Sequence, residues 1–419
     1  KSKYDIGDNY DIKYYRLEWF INPETLYIKG KVSPHFVITK SNTQLISLEL
    51  ADNLVVDSVL RQNNHLDYTH TNRKLEIDLN TTLEEGILDS ITIYYQGVPI
   101  ESGGFSSFTQ NYQNGVPIIW TLSQPYGSSD WWPCKNALND KIDSVDIIIS
   151  TPSKYKAASN GILINETSNE NITSYHWKHR YPIEAYLIGI AVTQYSIYSD
   201  FAELSTGQLE ILNYVFPANL ASAKKETPQI IPIIQLFDSL FGAYPFHLEK
   251  YGHAQFGWNG GMEHQTMSFM KNFSFDLMAH ELAHSWFGNA ITCNSWKDVW
   301  LNEGFATYLS ALTYEYLFTD QKWNNWKSWT VNHITNENAG SVYCPDTSDI
   351  YRIFNGRLSY YKGAYVLHML RWLVGDENFY QSCRNYLNDN KLRYNYAKTE
   401  DLQYHFEKQC NMDLDWFFQ

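Results

Sequence analysis

Up to about residue 215 the chain is written in short stretches of alternating character. Apolar side chains fall on every second position at Tyr15/Leu17/Trp19, Ile46/Leu48/Leu50, Leu75/Ile77/Leu79 and Val145/Ile147/Ile149, with Asn, Asp and Gly between the stretches. Because side chains alternate faces along a strand, this pattern predicts half-buried antiparallel β-structure. Beyond Ala218 the period lengthens. Residues 221–242, 274–287, 303–318, 360–374 and 398–409 carry apolar positions at helical spacing, with Pro and Gly at the joins, and are predicted as helices. The expected fold class is α+β and multidomain, a β-rich domain over residues 1–215 followed by a mainly α domain over 216–419. A length of 419 residues, more than one core usually organises, points the same way.

Composition narrows the partners. A formal charge of -14 repels phosphate backbones and anionic lipid, so no nucleic acid partner is expected, while ligands bearing a free ammonium are mildly favoured. Aromatic residues make up 16% of the chain, which excludes a disordered chain. Cys134, Cys293, Cys344, Cys383 and Cys410 show no C-x-x-C spacing and therefore suggest neither a cysteine metal site nor a dense disulfide framework. No apolar run reaches the roughly 18 residues of a membrane span, and KSKYDIGDNY is too polar for a signal peptide, so a soluble chain is expected. A start at Lys1 rather than Met leaves open an extracytoplasmic location reached by leader removal and a cytoplasmic one. Sequons at Asn80, Asn165, Asn171 and Asn272 matter only in a glycosylating pathway. The oligomeric state is not legible.

The chemistry is concentrated in SFDLMAHELAHSWFG, residues 274–288. Ser274 reads as an N-cap, Asp276 as a first-turn acid and Gly288 as a residue just past the end, with Met278, Leu282 and Trp286 as a buried stripe. His280 and His284 stand four apart on one face, close enough to bind one ion, with Glu281 beside them. The bland alternative is a pair of surface histidines on a core helix. A catalytic zinc wants a third protein ligand and an open position. Glu303, in WLNEGFATYL, supplies it if the chain turns back after the first helix; otherwise it is a first-turn glutamate facing a helix dipole. Thr307, one turn later, is a candidate to hydrogen-bond a ligand. With one Zn2+ per chain so held, Glu281 is positioned as general base for the attacking water.

HELAHSWFGN, WLNEGFATYL, the upstream GGMEH and the downstream SYYKGAYVL occur in the order found in the gluzincin aminopeptidases of the M1 family, which include aminopeptidase N, and the chain resembles that family over most of its length. The resemblance implies a β-rich saddle domain, a thermolysin-like catalytic domain, and zinc-dependent removal of the amino-terminal residue from peptides with a free N-terminus. It implies that Gly260, Gly261, Met262 and Glu263 form the substrate-binding strand, Glu263 taking the α-ammonium, although His264 stands where asparagine is usual. It also implies that Tyr360 donates to the developing oxyanion, with Tyr361 as the competing candidate, and that Gln124, before Pro125, is a second amine-binding residue. Glu263 read blandly is a turn residue, Tyr360 is core packing, and Gln124 is part of a structural turn. The chain stops at Gln419 without the helical carboxy-terminal domain of many members, which leaves the substrate length limit open. A thermolysin-like endopeptidase and a zinc-holding binding module are the competing readings.

Overall fold

The alternating segments do form strands. In the computed structural model, which describes residues 6–100 and 104–419, Tyr15, Leu17 and Trp19 lie in the strand Tyr10–Phe20 and Leu75, Ile77 and Leu79 in Lys74–Leu83, all six buried. The polar segment 1–5 lies outside the described residues. The fold divides into two compact units, one taking the chain up to Tyr198 together with Asn213–Leu220 and Gly252–Lys271, the other Ser199–Leu212, Ala221–Tyr251 and Asn272–Gln419. It is a mixed α+β fold.

The first unit is built from sheets. Its largest runs in the order Ile162–Asn169, Ile172–His179, Ser144–Pro152, Tyr10–Phe20, Ile28–Ile38, Thr92–Gly97, Leu54–Arg61 and Asn64–His65, with Leu88–Ser90 also paired to Ile28–Ile38. A second sheet orders Gly104–Gln113, Val116–Pro125, Ile190–Thr193 and Lys156–Ser159. The wholly antiparallel expectation needs one correction. Tyr14–Phe20 pairs in parallel with Ser144–Ser150, a partner supplied by a long connection rather than a hairpin, and period-two patterning is blind to that choice. Trp19, Trp131 and Trp132 pack against one another in the core below.

The second unit is mainly helical. Its longest helices are Ile230–Phe241, Phe275–Ala283, Trp300–Leu317, Asp320–Thr335, Gly363–Val374, Asp376–Leu387 and Thr399–Cys410. Stretch 221–242 breaks at Thr227–Gln229, where Pro228 removes a backbone donor. Asp320–Thr335 and Asp376–Leu387 were not signalled by the pattern: only Trp323 and Thr330 of the first are buried, so its apolar stripe is thin. Among the described residues no helix is long and apolar enough to cross a membrane.

Candidate metal centre

The helix Phe275–Ala283 begins where the pattern predicts but not by the expected cap. Ser274 has the extended backbone of an N-cap, yet its side chain makes no capping bond; the Asn272 carboxamide accepts from the Ser274 N–H instead. The helix ends at Ala283, four residues sooner than predicted. Tight turns carry the chain to Gly288, whose φ of +129° no other residue adopts without strain. A Cβ at Gly288 would also sit 3.0 Å from the His284 ring. Beneath the helix, Trp286 is buried against Phe237 and Tyr244 and donates its indole N–H to the Gly242 carbonyl at 2.9 Å.

The chain then turns back through Ile291–Cys293, and the next helix starts at Trp300 rather than at Glu303. Its first turn is tied down on three sides. The Asn302 side chain accepts from the Cys293 N–H at 3.1 Å, the Trp300 indole donates to the Thr399 hydroxyl at 2.9 Å, and that hydroxyl donates to Asp298 at 2.6 Å. Glu303, 2% exposed, is thereby aimed at the two histidines.

The donor atoms converge. His280 Nε2 and His284 Nε2 are 3.2 Å apart, and each lies 3.4 Å from Glu303 Oε2. Three ligands on a tetrahedral ion at about 2.0–2.1 Å are separated by about 3.3–3.4 Å, the edge of that tetrahedron. The residues therefore fit a zinc ion with one position left over. The second ring nitrogen of His284 faces the Phe287 carbonyl at 3.2 Å; an N–H there selects the tautomer that leaves Nε2 as the ligand. Burial keeps the His280 imidazole below its ordinary value and so neutral. Burial also works against the Glu303 charge, but the attraction of His284 and hydrogen bonds from both imidazoles outweigh it, holding the carboxyl well below the usual range. The His280 imidazole and the Glu303 carboxylate are thus in the forms that can hold a cation. Thr307 does not play the part suggested for it: its hydroxyl has no partner among the described residues, and the orienting contact comes from the Phe287 backbone.

Glu281 is 5% exposed, and one of its carboxylate oxygens lies within 4.8 Å of a His284 ring nitrogen. The two neighbouring tyrosines separate clearly. Tyr360 lies nearly parallel to the His280 ring, 5.9 Å between centroids and 14° between planes, whereas Tyr361 packs edge-on against Trp329 and His333. Tyr360 sits in a π-helical stretch, Gly356–Lys362, that runs directly into Gly363–Val374. Gly363 touches Gly304, the residue after the third ligand: a Cβ on Gly304 would come 2.9 Å from the Gly363 backbone. This bare crossing brings the helix carrying Glu303 close to the segment carrying Tyr360. Gly363 stands out in the sequence only as the end of the segment Tyr360, Tyr361, Lys362, Gly363, and Gly304 only by its position beside Glu303.

In the first unit, Gly261–Met262 pairs antiparallel with Phe269–Met270, and Gly260 accepts from the Lys271 N–H at 2.9 Å. Glu263 follows, 3% exposed, and receives the Gln124 side-chain amide at 2.8 Å. Two residues 139 positions apart, both singled out in the sequence, are thus hydrogen-bonded.

Residues 11–187 match the family model described as Peptidase M1 N-terminal domain, and residues 248–419 the Peptidase family M1 domain. Similar relatives include Aminopeptidase M1-B of Oryza sativa subsp. japonica, 29% identical over 61% of this chain and 31% of that protein. Glutamyl aminopeptidase of Bos taurus is 27% identical over 78% and 35%, and leucyl aminopeptidase of Saccharolobus solfataricus 25% over 76% and 42%. The chain thus spans between 31% and 42% of the length of these three relatives. Among solved structures, an M1 zinc metallopeptidase from Deinococcus radiodurans matches with a TM-score of 0.85 at 22% identity, covering 96% of this chain and 92% of that one. A mutant of that enzyme bound to a Tyr-Ser-Ala substrate matches at 0.87 and 22%, covering 99% and 94%. At that identity the likeness speaks for the fold.

Proposed function

The chain belongs to peptidase family M1, and from that premise we propose that it is a zinc-dependent aminopeptidase, holding one Zn2+ through His280, His284 and Glu303 and removing the first residue from peptides with a free amino terminus. In this reading the β-rich domain spans residues 1–215 and the catalytic domain 216–419. The observation that supports it most is the triangle of donor atoms with sides of 3.2, 3.4 and 3.4 Å. Zinc, when bound, supplies a Lewis acid that polarises the scissile carbonyl and acidifies water. The other steps belong to the chain. Glu281 takes the proton from the attacking water and returns it to the leaving amine, and Tyr360 donates its phenolic hydrogen to the oxygen on which charge develops. Glu263, with Gln124 on one of its oxygens, holds the ammonium, and Gly260, Gly261 and Met262 line the extended peptide beside it. An anion reserved for the free ammonium limits the cut to the first residue.

The reading is tested with an amino-acid anilide and a peptide pair differing only in amino-terminal acetylation. Turnover of the anilide is expected to vanish with a chelator and return with zinc. Glu281→Gln is expected to keep its zinc while losing a factor of about 10² to 10⁴ in kcat, the usual worth of a general base. Continued turnover by that variant ends the general-base role, and equal rates on both peptides end the role of Glu263.

A further inference from the structure

The residue that departs from the family pattern, His264, occupies an unusual place. It is 1% exposed, and neither ring nitrogen has a hydrogen-bond partner among the described residues. Its ring instead rests on Phe269, with 4.3 Å between centroids, and faces Gly189, where an added Cβ would lie 2.6 Å from the imidazole. Leaving two polar atoms unpaired in the interior is costly, so this imidazole acts by its shape.

The wall it leans on is pinned. The Gly189 N–H donates to the Asn160 side chain at 2.9 Å and its carbonyl accepts from the Ser159 hydroxyl at 2.8 Å. The far side of the turn is pinned as well: Asn160 donates to the Gln265 carbonyl at 2.7 Å, the Gly161 N–H donates to the Thr266 hydroxyl at 2.8 Å, and Gln265 reaches the Pro182 carbonyl at 2.9 Å. Phe269 is the strand partner of Met262. The ring is therefore clamped between Gly189, which leads into the inner strand Ile190–Thr193, and Phe269 on the strand Ser268–Met270, whose antiparallel partner Gly261–Met262 leads into Glu263.

Resting on the reading of Glu263 as the amine anchor, we infer that His264 is a positioning residue: wedged between Gly189 and Phe269, its ring sets the height at which Glu263 meets the substrate's ammonium, and so governs affinity for a free amino terminus. Since the wall cannot retreat, an added methyl at residue 189 pushes the imidazole, and the shorter asparagine side chain at residue 264 makes room again.

The experiment is a compensation cycle on the zinc-loaded protein. Gly189→Ala is expected to raise KM for an amino-acid anilide about tenfold while kcat stays within about twofold, as for a displaced binding group remote from the bond being broken. In Gly189→Ala/His264→Asn, KM is expected to return to within about threefold of the wild type, with the zinc content of both variants unchanged. An unchanged KM in Gly189→Ala, or a double variant as impaired as the single, overturns the inference. If Gly189→Ala yields no folded protein, His264→Ala replaces it: a higher KM at unchanged kcat supports the role, and an unchanged KM removes it. Failure of the underlying reading looks different, because the wild type itself then cuts acetylated and free peptides alike.

Discussion

Two histidines in the first unit, His253 and His264, carry a cost that pH exposes. Burial pushes both down to about 3 from an ordinary value near 6.5. Between those values the unfolded chain takes up protons that the folded chain refuses, so stability is intact above about pH 6.5 and falls on acidification, by up to roughly 1.4 kcal/mol per pH unit for each imidazole. The urea midpoint is expected to drop between pH 7 and pH 5, and to drop less in His264→Asn; parallel losses would clear His264 of any part in it. The convergence of His280, His284 and Glu303 was legible because donor chemistry has a fixed spacing: four residues place two imidazoles on one helical face whatever surrounds them. Gln124 and Glu263 needed the family pattern as well. What the sequence did not disclose at this scale is contact made by backbone or by shape, such as the Phe287 carbonyl behind His284 and the ring of His264 against Gly189.

At the scale of elements the crossing of Trp300–Leu317 and Gly363–Val374 is a tight constraint on the positions of Glu303 and Tyr360. With less than 3.0 Å available for a Cβ at Gly304, a methyl there must part the two helices. Gly304→Ala is expected to cost about 1–3 kcal/mol of stability, as overpacking does, and to lower kcat by about tenfold by shifting Tyr360 relative to Glu303. Thermal denaturation and steady-state kinetics on one preparation check both; a variant with normal kcat would free Tyr360 from this crossing. Strands such as Tyr10–Phe20 were readable from alternation alone, since one buried face imposes it. Their pairing was not, because a parallel partner more than a hundred residues away leaves no local mark. The start of the second metal helix was placed three residues late for a related reason: Trp300 and Asn302 are held by Thr399 and Cys293, which only the folded chain brings near.

For the molecule as a whole, the three residues proposed to hold zinc, His280, His284 and Glu303, all fall within one compact unit. On the proposed reading, zinc would add stability to that unit by mass action, about 2.7 kcal/mol at a free concentration one hundred times the dissociation constant. Removing zinc is expected to lower the melting temperature of the helical transition by roughly 5–10 °C, and Glu303→Ala to abolish the difference between the two forms. Calorimetry with and without chelator reads this independently of turnover. A zinc-stabilised protein with no hydrolytic activity would favour a binding module over an enzyme. The two-part architecture was visible in the change of period near residue 215, but the compact units interleave along the chain, and the strand Gly261–Met262 is grouped with the sheets that precede it by many residues. Periodicity reports which way a segment folds, not which neighbours it keeps.

The π-helical stretch Gly356–Lys362 gives the chain a local length gauge. A π-helical turn holds about one residue more than an ordinary turn, so losing a single residue here would let the stretch relax to the regular pitch of about 100° per residue with its two flanks nearly in register, and only side chains inside the stretch, Tyr360 among them, would change direction. In this segment the count of residues decides where Tyr360 points as much as their identity does, and a homologue one residue shorter would aim that phenol elsewhere under a nearly identical spelling.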